Sequence, residues 1–204
     1  LSLWERARVK EYTRKTEGAK QMVSSKKISF RSITELDFPL LHEWQNQEHM
    51  YPYYQPKPIT TEEIEKHYVP KITGEQKTNC HIALLNDTPF GYLQCYRNID
   101  DPEYAACKGM TDGIGVDLYI GDVSLLGKGL GQRMFEEYLE NVIFGIFPEE
   151  ENCYIWHNLQ NTKAVHCSKS VGFQFVREVK DNGILGALFF YKKPRINKNS
   201  VHKK

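Results

Sequence analysis

The stretch "LLGKGLGQRM", residues 125–134, sets glycines at positions 127, 129 and 131 around Lys128, directly after an apolar run and directly before a strongly periodic one. A strand, then Gly-x-Gly-x-Gly, then a helix puts unpaired backbone N–H groups and the positive end of a helix dipole where an anion can sit. Glycine lets a ligand come close to the backbone. The competing reading is a tight strand-to-helix turn whose glycines serve packing. A nucleotide triphosphatase loop requires Ser or Thr after the lysine, but Gly129 follows Lys128. A dinucleotide fold requires an early βαβ unit, whereas this loop lies in mid-chain.

Outward from the loop, Met134, Phe135, Tyr138, Leu139, Val142, Ile143 and Ile146 recur at three- and four-residue intervals, which predicts a long amphipathic helix. Upstream, "HIALL", a turn at "NDTP", "FGYLQCYR" and "VDLYIG" (116–121) predict a three-strand meander. "ISFRSI" (28–33) reads as a strand. Thr34 with Asp37, and Thr60 with Glu62 and Glu63, read as helix starts, the second helix being kinked or ended by Pro70. Downstream come a short strand "NCYIW" (152–156), a helix in "NTKAVHCSKSVGF" (161–173) ending at Gly172, and a closing strand "GALFFYKK".

The 204 residues suit one domain, expected over 28–191 between a basic arm or helix (1–27) and a basic flexible tail (192–204). The arm carries 8 Lys/Arg against 3 Asp/Glu and the tail 6 against none, which leaves the central region at 13 basic and 23 acidic residues. An acidic domain argues against nucleic acid as partner and permits a cationic small molecule. No apolar run reaches the roughly 18 residues of a membrane span, so no membrane partner is expected. The opening residues show no charged n-region followed by an apolar h-region, which predicts a cytoplasmic location. The five cysteines, odd in number and without a CxxC pair, read as free and mostly buried thiols. The histidines lack ligand spacing, so no metal is expected.

"LGKGLG" after a meander strand, followed by a long amphipathic helix, a short strand and "NTKAVHCSKSVGF", resembles the acetyl-CoA-binding core of the GNAT acyltransferase superfamily. The segments "HEWQNQEHMYPYY", "EKHYVPKI", "HIALLNDTPFGYLQCY" and "GVDLYIGDVSLLGKGLG" are similar, in order and spacing, to the aminoglycoside 6'-N-acetyltransferases. The resemblance implies an α/β (α+β) GNAT fold: a mixed, mostly antiparallel central sheet, split near the CoA cleft, with helices on both faces. It implies acetyl transfer from acetyl-CoA to a primary amine, the 6'-amine of an aminoglycoside in the nearest branch. The alternatives are a siderophore-type hydroxylysine or other small-amine acetylase, and a CoA-binding module without chemistry. A monomer and a homodimer are both compatible.

The same resemblance implies that Leu126, Gly127, Lys128, Gly129, Leu130, Gly131 and Gln132 hold the CoA pyrophosphate and that Asn161 bonds the pantetheine arm. Asp117, in the apolar run "VDLYI", falls at the position of the catalytic aspartate. A carboxylate there can hold an ammonium and accept its proton. Seven residues after Asn161 the family commonly has tyrosine as the thiolate's proton donor; this chain has Ser168. Ser168 as a weak acid, a water, His166 or another residue, or the attacking amine's own proton remain the options. On the acceptor side, Tyr51, Tyr53 and Tyr54 offer aromatic faces with hydroxyl tips. Trp156 stands where an acidic residue is common, and Asp112, with Asp100, Asp101 and Glu103, either supplies the missing negative charge or forms a solvated loop.

Overall fold

A computed structural model describes residues 27–54, 57–110, 112–181 and 183–194, so the expected arm and most of the tail lie outside the described residues. The chain opens with β1 (Ile28–Ser32) and passes through a 3-10 turn into α1 (Phe38–Gln45). Asp37 organises that corner. Its Oδ2 accepts from Thr34 N at 2.9 Å, which satisfies the start of the turn, and its two oxygens take both ends of the Arg31 guanidinium at 2.6 and 2.8 Å. The expected helix start at Thr34 is thus the start of the 3-10 turn that leads into α1.

Thr60 and Glu63 cap each other at the start of α2 (Thr61–Ile72). Pro70 sits in the last turn and the helix continues two residues beyond it, although the proline has no N–H to offer the Lys66 carbonyl one turn earlier. β2 (Thr78–Leu85) and β3 (Thr88–Arg97) form a hairpin whose two-residue turn, Asn86-Asp87, has positive φ at both positions. A short α3 (Pro102–Lys108), capped by Asp101, occupies the connection expected to be a loop. β4 (Ile114–Ile120), α4 (Leu130–Tyr138), β5 (Asn152–Asn158) and α5 (Thr162–Val171) follow, and β6 (Gln174–Asp181) and β7 (Ile184–Lys192) close the fold as a hairpin. The periodic run after the glycine loop is helical throughout but not uniformly α, since α4 passes through a π-helical stretch, Leu139–Ile143, before a last turn at Phe144–Ile146.

The sheet has seven strands in the order β1-β2-β3-β4-β5-β7-β6, antiparallel except for β4 against β5. That parallel pair is short. Only Ile114↔Cys153 and Gly115↔Tyr154 are in register, and from Val116 onward β4 stays with β3 while β5 stays with β7. The result is a fork in mid-sheet, with strand edges facing each other across it unpaired.

Period-two alternation assigns each strand residue to a face. Leu93, Cys95 and Val116 join Met134, Phe135 and Tyr138 of α4 in one core, while Ile82, Tyr92 and Tyr119 join Leu41, Trp44, Ile64 and Tyr68 of α1 and α2 in the other. Cys80, Cys95 and Cys153 are buried free thiols, and Cys107 is an exposed one. Among the described residues no helix is long and apolar enough to cross a membrane.

Asp37 is 5% exposed. Burial pushes its pKa up, but the Arg31 and Thr34 hydrogen bonds outweigh that and hold it below the ordinary 3.8. Its pairing therefore stabilises the fold above pH 3.8, and that share is lost as the pH falls through the lowered folded value. Asp37→Asn should lower the melting temperature at pH 7 and make its decline between pH 4 and pH 2 shallower than in the wild type; parallel melting curves would show that the carboxylate carries no such share.

Candidate active site

Asp117 lies on β4 two residues beyond the last β4–β5 pair, on the sheet face that carries α1 and α2. Register places Gln94 of β3 directly opposite, and Cys80 of β2 opposite Gln94. Gln94 Nε2 donates to Asp117 Oδ2 at 2.8 Å. Gln94 Oε1 accepts from Tyr92 Oη at 2.8 Å and from Lys71 Nζ at 3.0 Å, and Lys71 Nζ also lies 2.7 Å from His67 Nε2. Burial raises the Asp117 pKa above the ordinary carboxylate range, against the Gln94 hydrogen bond and the charges of Lys71 and Lys108; Asp181 adds to the rise. A carboxylate held in this way is a better proton acceptor than a solvated one and remains close to strong donors.

A cavity of about 310 Å³, lined by Gln45, Tyr54, Ile59, Glu63, His67 and Gln94, opens on this face beside the Asp117 carboxylate's partner. Rings floor it. Tyr54 meets Tyr119 at 4.9 Å between centroids, Tyr119 stacks on Tyr92 at 5.3 Å, and Tyr92 meets Tyr68 at 5.5 Å. Gln45 Nε2 donates to Tyr68 Oη at 2.6 Å. Of the three tyrosines expected at an acceptor site, only Tyr54 lines the cavity. Tyr51 donates its hydroxyl to the Asn46 carbonyl, and Tyr53 points largely into solvent.

Trp156 and Asp112 lie elsewhere. The indole N–H donates to the Val179 carbonyl, and Lys108 Nζ stands 4.4 Å from the ring centroid, so one face already carries a cation. Lys108 is 0% exposed and pairs with Asp181 at 2.6 Å. Asp112 accepts from Asn152 and Tyr154 at the closed end of the fork. Asp100 pairs with Lys77, and Asp101 caps α3, so that group of acids is not an open ring of charge.

On the opposite side of the fork, Gly127 and Gly129 have φ of +71° and +77°, and a Cβ at either position would meet nothing within 4 Å. Packing therefore does not explain these two glycines. The backbone conformation does, and the space beside it is open. Gly129 is the N-cap of α4 and contributes no capping side chain, so the N–H groups of the first turn face outward. Leu130 is buried and offers only its backbone, Lys128 and Leu126 are exposed, and the Gln132 side chain is spent on Glu136 at 2.9 Å. Asn161 Oδ1 caps α5 through Ala164 N at 3.2 Å, a contact that leaves its Nδ2 donor unused.

Ser168 is 1% exposed, and its Oγ lies 2.7 Å from His157 Nε2. His166, by contrast, faces solvent. Sequence reasoning overlooked His157, although "WHN" places it at an alternate position of a strand next to α5. His81, on the α4 face, bonds Tyr138 Oη at 2.8 Å through Nδ1. No group of three His, Cys, Asp or Glu able to hold a metal ion occurs among the described residues.

Residues 34–181 match the family model for the acetyltransferase (GNAT) domain. The chain belongs to the GNAT acetyltransferase family. It is 27% identical over 155 residues to aminoglycoside N(6')-acetyltransferase type 1 of Klebsiella pneumoniae, across 74% of this chain and 76% of that one, and equally to the protein of the same name from Serratia marcescens. Among solved structures, an uncharacterised protein from Bacillus halodurans superposes with a TM-score of 0.74 at 26% identity, covering 83% and 86% of the two chains. The aminoglycoside acetyltransferase AAC(6')-Ib, solved in complex with coenzyme A and kanamycin, superposes with a TM-score of 0.67 at 24% identity over 81% and 95%. The forked, mostly antiparallel sheet is accordingly the GNAT fold.

Within this GNAT domain, burial lowers the His157 pKa to about 4. The unfolded chain, with an ordinary 6.5, then binds the proton first as the pH falls, so His157 costs stability progressively between pH 6.5 and 4. A histidine NMR titration should find the His157 ring neutral at pH 6, with its midpoint near 4 and lost in His157→Gln; a midpoint between 6 and 7 would mean that the ring is solvated and free of Ser168.

Proposed function

We propose that the protein transfers the acetyl group of acetyl-CoA to a primary amine of a small cationic molecule, with the 6'-amine of an aminoglycoside as the acceptor that fits best. The observation that carries this reading is Asp117, a half-buried carboxylate beside the fork, held by Gln94, which lines a cavity together with Tyr54 and His67. Aromatic faces and a carboxylate suit an amino sugar, and the named relatives support that choice.

Acetyl-CoA supplies the activated acyl group as a thioester. The open arc at Gly127–Gly131 and the start of α4 suit its pyrophosphate, with Lys128 as the nearby cation and Leu126 and Gln132 contributing main-chain groups. The unpaired edges of the fork and Asn161 Nδ2 suit the amide groups of the pantetheine arm, much as an added strand would. Asp117 holds the acceptor's ammonium and takes its proton, which frees the nitrogen lone pair for attack on the thioester carbonyl. Ser168, whose Oγ lies 2.7 Å from Nε2 of the neutral His157, can donate a hydrogen bond to the departing thiolate when His157 presents Nε2–H to the serine oxygen; the thiolate's proton is the second one, which the nitrogen sheds as the amide forms.

One observation favours a second acceptor class. Lys71 and Lys108 both act on Asp117, so two cations already stand near the place where a polycation would bind. An amine on a molecule with its own carboxylate, such as N6-hydroxylysine, would meet less repulsion.

Incubation with acetyl-CoA and kanamycin, N6-hydroxylysine or a peptide with a free N-terminus, read by thiol release, separates the readings. Kanamycin should react best. Reaction of hydroxylysine alone would sink the aminoglycoside reading, and no reaction despite a melting temperature raised by acetyl-CoA would leave a binding module. With the reactive amine, Asp117→Asn should lower kcat/KM by about 10²- to 10⁴-fold, the usual reach of general-base catalysis.

The loop is tested separately by calorimetric titration of CoA. A branched side chain in the left-handed region costs roughly 1–2 kcal/mol, so Gly129→Val should weaken CoA binding about tenfold or more. Gly131→Ala, whose Cβ would make only ordinary contacts at 3.6 and 3.7 Å, should bind CoA almost as the wild type does. Equal affinities for the three proteins would displace the phosphates from this loop.

A further inference from the structure

The geometry points to Lys71 as a positioning residue for the transfer: through Gln94 its ammonium sets which oxygen of Asp117 is free to receive the amine's proton. The inference rests on Asp117 being the base. It concerns a residue in the last turn of α2, behind the cavity wall, that no motif in the sequence singled out.

A glutamine amide can be turned over with little change of shape, so its neighbours decide which end donates. Lys71, when protonated, has donors only. At 3.0 Å it therefore requires the carbonyl end of Gln94, and Tyr92 Oη, at 2.8 Å from the same oxygen, donates as well. The amide nitrogen is left for Asp117 Oδ2 at 2.8 Å. An N–H pointing at Oδ2 is compatible with that oxygen only as an acceptor, so Oδ2 is occupied and Oδ1 is the one left for the substrate's proton. Without the lysine, the reversed amide becomes acceptable, with its carbonyl accepting from a protonated Asp117. The base would then rest in its spent form.

Two contacts hold Lys71 itself. His67, one turn earlier on α2, faces Lys71 Nζ with Nε2 at 2.7 Å and can accept because it is neutral: desolvation and the Lys71 charge lower its pKa to about 4, although the outer edge of the residue stays exposed. The ring of Tyr68 lies 5.2 Å from Nζ. Lys71 is buried, which lowers its pKa, while the charge of Asp117 acts to raise it. The other groups around Asp117 do not replace it. Lys108 of α3 is a cation but is committed to Asp181 of β6, whose own charge opposes it. Cys80 of β2, Tyr54, Tyr96 of β3, Tyr104 of α3 and Cys153 of β5 all have pKa values raised by burial and are neutral at pH 7.

The test is a carboxyl-carbon NMR titration of the full chain labelled at aspartate, with Asp117→Asn identifying the Asp117 signal. In Lys71→Met the Asp117 midpoint should rise by on the order of one pH unit, the lower end of what a nearby opposite charge contributes. The acidic limb of kcat/KM with the amine that reacts in the acceptor panel should rise with it, so that the variant is about tenfold slower below the limb and recovers above it. Lys71→Arg, which keeps the charge and the donors, should restore most of the shift. His67→Ala, at an exposed helix position that a fold tolerates, should move the midpoint in the same direction by less, and it stands in if Lys71→Met does not fold. A uniform loss of kcat/KM at every pH with an unmoved midpoint would make Lys71 a packing residue and overturn the inference while leaving the base intact. Wild-type activity of Asp117→Asn would instead overturn the base assignment, and this inference with it.

Discussion

Everything in this protein that bears on chemistry hangs on the parting of β4 from β5. Two strands paired at only two positions cannot satisfy one another's backbone further along, and each keeps its full ladder with its other neighbour. Backbone donors and acceptors that face a gap are costly when buried and must find a partner in water or in a ligand. The fork therefore makes a slot through the sheet, and the elements that flank it sit on opposite faces: the glycine loop and α4 on one, α1 and α2 with their tyrosines on the other. Asp117 lies beside this slot, on the face of α1 and α2.

On the α1 and α2 face, a carboxylate lies among aromatic rings. Four tyrosines, Tyr54, Tyr68, Tyr92 and Tyr119, surround the neighbourhood of Asp117 with polar tips that are neutral at any working pH. Unopposed burial would protonate the acid. The Gln94 hydrogen bond and two buried lysines oppose it, and one of those lysines is itself restrained by Asp181. The lysines are in turn held by partners, Lys71 by Gln94 and His67 and Lys108 by Asp181, in a fold in which buried lysines are ordinarily rare.

On the other side of the fork, Ser168 stands seven residues after the Asn161 cap of α5. Its hydroxyl is buried and lies 2.7 Å from His157 of β5, so the strand provides the partner that the helix lacks. The glycine loop shows a similar division. Its charge is modest, and Leu126 and Leu130 contribute no polar side chain, so an anion placed there depends on main-chain N–H groups whose direction follows from two left-handed glycines.

The amino-acid sequence by itself determined most of the elements and their order, because glycine punctuation, capping residues and the two hydrophobic periods are local properties of the chain. It also pointed to the family, which the match over residues 34–181 shows, and singled out Asp117, Asn161 and the glycine loop as candidates. It did not reveal α3 or β6, since a short helix led by Pro102 and an edge strand as exposed as Gln174–Asp181 carry almost no apolar pattern. Nor could it sort Tyr54 from Tyr51 and Tyr53, or show that Trp156 already faces a lysine and that the acids near Asp112 are spent on neighbours. Only the tertiary structure decided these points, along with the line from His67 through Lys71 and Gln94 to Asp117. Those residues are separated by up to dozens of positions in the chain, and they meet because strand register and the packing of α2 on the sheet are long-range outcomes of folding that no local spacing encodes.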